Sequence, residues 1–268
     1  TKPYLFRTRD YGASWELITN GIPGNDYTRV IREDPDHTDI LFAGTETGVY
    51  ISFDRGARWQ SLKMNLPVTP VHDMQIQRRE HDLVIATHGR SFWILDDLTP
   101  LYQLAEASKS QAFLYAPRHT YRKRGASFYS PTMQVGENAP TDVMLHYYFK
   151  TKPEGEVLLR FFDANGDTVI TFSSIKDYKG EPVKISKEFH PDTMVRRPGI
   201  IQAKQGANSF VWDTRYPDSK KIESGNNAFI SGGITGPTAV PGMYTVKLYL
   251  KDSLLATRTF ELKKDPRI

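Results

Sequence analysis

Tyr50-Ile51-Ser52-Phe53-Asp54-Arg55-Gly56-Ala57-Arg58-Trp59-Gln60-Ser61-Leu62 decides the fold, because an earlier copy of it stands at Phe6 to Leu17. Ser52, Asp54, Gly56 and Trp59 occupy the places of Thr8, Asp10, Gly12 and Trp15, and Asp54 follows Asp10 by 44 residues. The spacing Ser/Thr-x-Asp-x-Gly-x-x-Trp has a mechanical reading. A strand ends, Asp accepts backbone N–H groups in a tight turn, Gly takes a conformation a Cβ would strain, and Trp packs as the next strand begins.

The flanking pattern predicts short strands. Tyr4 to Thr8 and Trp15 to Ile18 read as the last two strands of one unit, and the turn cluster Gly21-Ile22-Pro23-Gly24-Asn25 follows. A whole unit then runs through Arg29 to Arg32, Ile40 to Ala43, Val49 to Phe53 and Trp59 to Leu62, with short connections rich in turn formers. Four strands in about 44 residues match the blade period of a β-propeller. A third unit has strands at Val71 to Ile76, Leu83 to Ala86 and Phe92 to Leu95. It then enters Asp96-Asp97-Leu98-Thr99-Pro100, where neither the Gly nor the Trp of a box follows. Closed propellers have about four to eight blades, and an open wedge would expose sheet faces and edges. The sequence therefore predicts the last blades of a longer polypeptide, with the missing N-terminal blades before Thr1 as their packing partner.

From 100 to 111, Leu101, Leu104 and Ala105 at helical spacing predict a short linker helix. Beyond it, from 112 to 268, the pattern is all-β without the 44-residue period. Val143, Leu145, Tyr147 and Phe149 alternate with polar or outward neighbours. Val157 to Phe162 and Thr168 to Phe172 flank Asp163-Ala164-Asn165-Gly166-Asp167, a hairpin signal. Asp163, Asn165 and Asp167 imitate a calcium loop, but Gly166 is at the fourth position and Ser174 stands where the terminal Glu is needed, so the hairpin reading is preferred. Ser209 to Asp213, Tyr244 to Leu250 and Leu255 to Leu262 complete the pattern, and Thr214 to Pro241 reads as a long surface loop. The expected fold is all-β: a partial propeller over 1–99 and an immunoglobulin- or fibronectin-III-like β-sandwich over 112–268.

The repeated box resembles the Asp-box (BNR) motif of sialidase-like and sortilin/VPS10-like propellers, in which the box closes the outer hairpin of a blade and is structural. Gly206-Ala207-Asn208-Ser209-Phe210-Val211-Trp212-Asp213 and Pro241-Gly242-Met243-Tyr244-Thr245-Val246 resemble the Ig-like module of the flagellar hook-capping protein. Together with Ala86 to Asp97 and Lys264-Asp265-Pro266-Arg267, they resemble the Bacteroidetes-type Asp-box proteins labelled glycosyl hydrolase or sortilin-like. The resemblance implies a secreted, periplasmic or outer-membrane-associated bacterial protein.

In such propellers two connections of each blade face the ligand, one entering the innermost strand and one between the second and third strands. The resemblance assigns these to Asn25–Arg29, Val68–Asp73, Thr45–Gly48 and Thr87–Ser91, and so names Asp26, Tyr27, Arg29, Glu46, His72, His88 and Arg90 as ligand-binding candidates. Asp73 is the best-placed carboxylate for a glycoside hydrolase. That chemistry needs two carboxyls about 5 Å apart for retention or roughly 6.5–9.5 Å for inversion. A sialidase would add a Tyr nucleophile and several arginines, which Tyr27, Arg29 and Arg90 do not supply in that family's motif. His88 and Arg90 read either as anion ligands or as side chains bonded to neighbouring blade carbonyls. Among His72, Asp73 and His88 no zinc spacing occurs, and neither metal nor cofactor is expected. Trp15, Trp59, Trp93 and Trp212 are read as core.

Composition narrows the classes further. The chain has 268 residues, no cysteine and a formal charge of +4. No apolar run approaches the roughly 18 residues of a membrane span. Up to Leu104 there are 11 Lys/Arg against 14 Asp/Glu, and beyond it 24 against 17. The densest basic run, Arg118 to Arg124, is short and precedes a Gly, so a solvated loop is expected over a polyanion or partner patch, and a nucleic-acid partner is not expected. The function classes left are polypeptide or glycan recognition by the propeller face, carbohydrate hydrolysis as the alternative, and a purely structural spacer.

Overall fold

The computed structural model describes residues 2–122, 142–175, 199–217 and 236–266. The chain divides between Tyr102 and Gln103 into two units, each with its own hydrophobic core.

The first unit is built of antiparallel sheets whose strands are neighbours in sequence order. β1 (Phe6–Arg7) pairs with β2 (Glu16–Leu17); β3 (Thr28–Glu33), β4 (Leu41–Thr45), β5 (Val49–Ser52) and β6 (Gln60–Ser61) form a four-stranded meander. β7 (Val71–Gln77), β8 (Asp82–Thr87) and β9 (Phe92–Leu95) form a three-stranded one. β4 and β5 are buried along their whole length, so both of their faces are covered. Because alternate side chains leave opposite faces of a strand, Leu41, Ala43 and Tyr50 join Leu5, Ile18 and Ile22 in one core. Phe42, Val49 and Ile51 join Val71, Met74 and Leu83 in another. The sheets are thus stacked face to face, as blades are. Gly44 permits the close approach on the second side, since a Cβ there would lie 2.6 Å from Val30 Cγ1 and 2.7 Å from Val71 Cγ1.

Both boxes fold alike. In the second, Ser52 Oγ donates to Asp54 Oδ1 (2.7 Å) and accepts the Gly56 amide (2.8 Å), while Asp54 Oδ1 accepts the Arg58 amide (2.8 Å). In the first, Thr8 Oγ1 donates to Asp10 Oδ1 (2.9 Å) and accepts the Gly12 amide (2.7 Å), and Asp10 accepts the Ser14 amide and hydroxyl (2.8 and 2.6 Å). Gly56 (φ 86°) and Gly12 (φ 95°) occupy the left-handed region that a Cβ disfavours. The Ser14 hydroxyl and amide and the Thr8 hydroxyl hold the Asp10 carboxyl at about 2. Its folded value lies below its unfolded one, so this contribution to stability is present above about pH 4 and fades as the pH falls toward 2.

The two box tryptophans differ. Trp59 is 2 % exposed, and its indole N–H donates to the Ile18 carbonyl at 2.7 Å. Trp15, expected in the core, is 62 % exposed. The reason is positional: Trp59 is covered by Leu5, Ile18 and Ile22 of the first hairpin, and no described residue gives Trp15 such a cover. Trp93 is half-buried against the second core.

After β9 there is no box. Asp97 (φ 60°) accepts the Thr99 amide and hydroxyl (3.1 and 2.6 Å), and Leu98, fully buried, closes the core. The expected linker helix is two short turns, α1 (Thr99–Tyr102) and α2 (Leu104–Ala107). Leu101 packs in the first unit and Leu104 in the second, so the helical spacing joins residues of separate cores. The Tyr102 hydroxyl donates to the buried Asp34 carboxylate at 2.7 Å. Burial and then Asp34 raise the Tyr102 phenol well above its usual range.

The second unit has two sheets over one core. β10 (Ala112–Leu114), β12 (Val143–Phe149) and β15 (Gly206–Trp212) form one, in the order β10-β12-β15. β11 (Thr120–Arg122), β13 (Val157–Phe162), β14 (Thr168–Ser173), β16 (Gly242–Leu250) and β17 (Ser253–Lys264) form the other, in the order β11-β17-β16-β13-β14. Val143, Leu145, Tyr147 and Phe149 all point inward, and Trp212 sits at the centre, 4.5 Å from Phe161 and 5.7 Å from Tyr244 between ring centroids. Asp163 Oδ1 accepts the Asn165 and Asp167 amides, both at 2.9 Å, and closes the β13–β14 hairpin. The basic run expected as a loop is partly a strand: β11 lies parallel to the end of β17, with Tyr121 opposite Lys263. Lys123, Arg124, Arg267 and the middle of the loop expected at Thr214 to Pro241 lie outside the described residues. The ends of that loop are paired, Tyr216 N–H to the Pro237 carbonyl at 3.0 Å and Ala239 N–H to Thr214 at 2.6 Å.

Three substitutions test this framework. Asp54→Ala removes the acceptor of the second turn and is expected to destabilise the protein by about 1–2 kcal/mol in urea denaturation. Asp10→Ala should have the smaller effect, since its box is open to water. Tyr102→Phe strips a hydrogen bond from a buried carboxylate, and a loss of about 1.5–3 kcal/mol is expected; an unchanged denaturation midpoint would show that water replaces the phenol.

Candidate functional site

The site begins with two irregularities in the sheet ladders. On β3 the register passes from Thr28↔Thr45 to Val30↔Gly44, leaving Arg29 as an extra residue. On β7 it passes from Val71↔Thr87 to Asp73↔Ala86, leaving His72. A bulge bends the strand and re-aims the unpaired side chain. The same device thus stands at the same place in two successive sheets, and both of its side chains are among the sequence-derived candidates.

The connections beside these bulges are also built alike. Glu46 N–H donates to the Tyr27 carbonyl (3.1 Å) and His88 N–H to the Pro70 carbonyl (2.9 Å). Thr45 N–H and hydroxyl reach the Gly48 carbonyl (2.8 and 3.1 Å), as Thr87 N–H and hydroxyl reach that of Ser91 (3.3 and 2.6 Å). In the first of these loops the organiser is Asp26. Its buried carboxylate accepts the Thr45 hydroxyl (2.9 Å) and the Thr47 hydroxyl and amide (2.6 and 3.2 Å). Asp26, expected on the ligand face, is therefore enclosed by the loop that it shapes. Sequence reasoning counted its charge and missed that Thr45 and Thr47 would consume it.

That loop delivers Glu46 to Arg29. Arg29 Nε donates to Glu46 Oε2 at 2.7 Å, Nη2 lies 2.5 Å from the same oxygen, and Nη2 donates to the Tyr27 hydroxyl at 2.7 Å. The guanidinium also lies over the Tyr27 ring, 5.0 Å from its centroid. The Tyr27 hydroxyl and then Arg29 lower the Glu46 carboxyl, and Glu46 in turn raises both the Tyr27 phenol and the Arg29 guanidinium. His72 adds a smaller lowering influence on Glu46 and stacks on His88 with ring centroids 5.0 Å apart. Tyr27, Arg29 and Glu46 are thus one bonded group, and His72 and His88 form a stacked pair carried by the next sheet and its loop. Arg90 is exposed; its carbonyl accepts the Trp93 indole N–H at 2.9 Å, and its guanidinium bonds to no carbonyl of a neighbouring sheet among the described residues. Gly89 (φ 78°) and Ser91 (φ 59°) make the turn that carries it.

Asp73 stands apart in chemistry. Its Oδ1 is ion-paired with Arg32 and accepts the Met74 amide at 2.8 Å. Arg32 also donates to the Met74 and Ile31 carbonyls, both at 2.8 Å, so it straps β3 to β7. Arg32 was not legible as a partner because the pairing crosses from one sheet to the next. Among the described residues no three His, Asp or Glu side chains converge as a metal-binding group.

Residues 4–116 match a protein-family model, Sortilin-Vps10, described as sortilin, neurotensin receptor 3. That stretch is sortilin/VPS10-like. The sortilin-like stretch contains all three sheets of the first unit, both boxes and every candidate residue above. The match agrees with the propeller-like stacking of these sheets. No curated protein matches the chain, and no described helix is long and apolar enough to cross a membrane.

The linkage inside the group is measurable. Glu46→Gln removes the anion that raises the Tyr27 phenol, so the Tyr27 resonance followed by NMR in alkali should titrate at lower pH in the variant. No change would mean that the three side chains do not share charge in solution.

Proposed function

We propose that this protein is a secreted or envelope-associated bacterial Asp-box propeller protein that recognises a polypeptide or glycan through the loops carrying Arg29 and His72, with 112–268 as an Ig-like accessory module. The observation that carries the reading is the pair of bulges, which places a cation and an imidazole at equivalent positions of adjacent sheets. A sheet register is interrupted at some cost in ladder hydrogen bonds, and bulges concentrate where a side chain is aimed at a site. The sortilin-like match adds a family concerned with ligand recognition outside the cytoplasm. The exposed Trp15, Tyr4, Phe6 and Leu17 of the first hairpin form the surface on which a further blade packs, by analogy with the cover that Trp59 receives.

The hydrolase alternative is less favoured by the same geometry. It asks for two carboxyls with oxygens available to one bond, whereas Asp26 is enclosed by threonines and Asp73 is strapped by Arg32. Glu46 is itself held by Arg29 and Tyr27. Glu46 and Arg29 together offer an acceptor and donors on one face, which is the equipment of a binding site.

The test is selection of a displayed random-peptide library and a glycan array against the chain, each repeated with Arg29→Ala. Ligands that use the face are expected to weaken by about tenfold or more in the variant, the cost of truncating one partner of a charged contact. Ligands retained equally by both proteins would place recognition elsewhere, and release of reducing ends from an arrayed glycan would restore the hydrolase reading.

A further inference from the structure

The outward face of the five-stranded sheet carries a feature that folding by itself disfavours. Leu159, Phe161, Val246 and Leu248 point into the core, so the alternate residues Arg160 and Phe162 on β13 and Thr245, Lys247 and Tyr249 on β16 point out. Arg160 stands directly opposite Lys247 in the antiparallel pairing. Like charges directly opposite on one sheet face repel, and neither side chain makes a hydrogen bond or ion pair with a described residue. Across β13, β14, β16 and β17 there is a single acidic residue, Glu261, near the end of β17 opposite Met243 and 3.8 Å from Lys263. The two cations instead lie over aromatic rings, Arg160 at 4.8 Å from the Tyr249 centroid and Lys247 at 4.5 Å from that of Phe162.

The row extends to both sides with hydroxyls. Thr171 is opposite Arg160 and Thr257 opposite Lys247, so four adjacent strands present Thr171, Arg160, Lys247 and Thr257 in line. At about 4.8 Å per strand the row spans roughly 14 Å. It is a flat, donor-rich strip with its positive charge in the middle.

We propose that this strip binds an anionic polysaccharide, a chain of hydroxylated rings bearing carboxylate or sulfate groups. The anionic groups sit between Arg160 and Lys247 and relieve their repulsion, and the threonines meet ring hydroxyls. A single-stranded nucleic acid fits less well, because its bases stack on open aromatic faces and Tyr249 and Phe162 have theirs occupied by the cations. An acidic peptide added as a strand would need a free sheet edge, whereas Arg160 and Lys247 stand on β13 and β16, each paired on both sides. The strip belongs to the second unit and the loops of the function proposed above to the first, so the two proposals stand or fall independently.

The experiment is affinity electrophoresis of the whole chain through gels containing polygalacturonate, heparin or neutral dextran. Retardation by polygalacturonate or heparin and not by dextran is expected, and which of the two retards more tells carboxylate from sulfate. R160Q/K247Q should weaken that binding by about tenfold or more, whereas K150Q/K264Q, with the same change in net charge, should leave it within about twofold. Absence of retardation, or equal loss in the control pair, overturns the proposal, as does an oligothymidylate that binds as tightly with the same dependence on Arg160 and Lys247. K247E separates the site from folding: it converts the repelling pair into an attracting one, so binding should be lost while the melting temperature rises. A lower melting temperature with unimpaired binding would remove the strain on which the proposal rests.

Discussion

The first unit hangs on one contact, the burial of Trp59 against the preceding hairpin. Its indole N–H meets the Ile18 carbonyl at 2.7 Å, and its own amide donates to Asn20 at 2.8 Å. Gly21 passes so close that a Cβ would lie 2.2 Å from the Trp59 carbonyl oxygen. A large aromatic with a polar handle is suited to this, since it buries area and satisfies a buried acceptor at once. The turn between β5 and β6 delivers the tryptophan there: Ser52 and Asp54 occupy the turn amides, and Gly56 takes the backbone conformation that brings the chain round. With the hairpin and the four-stranded sheet joined in this way, β4 and β5 can be apolar on both faces without exposing either.

Once sheets stack face to face, their ends at one side lie together, and chemistry can be assembled from short loops. The bulges at Arg29 and His72 use this. Neither side chain is far from its strand, and the precision of the group comes from buried polar support. Asp26 fixes the Thr45–Gly48 loop, that loop places Glu46, and Glu46 orients Arg29 against Tyr27. A carboxylate that faces inward therefore governs the direction of one that faces outward.

The second unit solves its packing with an aromatic centre. Trp212 lies among Phe161, Tyr244 and Phe260, each contributed by a different strand of the opposite sheet. The inward alternation that fills this centre leaves an outward alternation free for other purposes, and it is there that Arg160 and Lys247 meet. A core-forming pattern and a surface-forming pattern share the same strands because the period of a strand is two.

The sequence by itself determined the all-β class, the 44-residue repeat with its two turns, the strand positions from Thr28 to Leu95, and the inward faces of β12 and β16. These are local properties: a turn motif acts within a few residues, and alternation is read along one strand. It also named the loops that carry Tyr27, Arg29, Glu46, His72 and His88. It misjudged Trp15, Asp26, the basic run at Thr120–Arg122 and the helical spacing at Leu101 and Leu104, for one shared reason. Whether Trp15 is covered, whether Asp26 is consumed by Thr45 and Thr47, and which core receives Leu104 all depend on residues distant in sequence. Only the tertiary structure decided these, along with the Arg32–Asp73 strap and the Arg160–Lys247 pair, because a side chain's partner is set by which sheets and strands lie side by side, and that register is written in no single stretch of the chain.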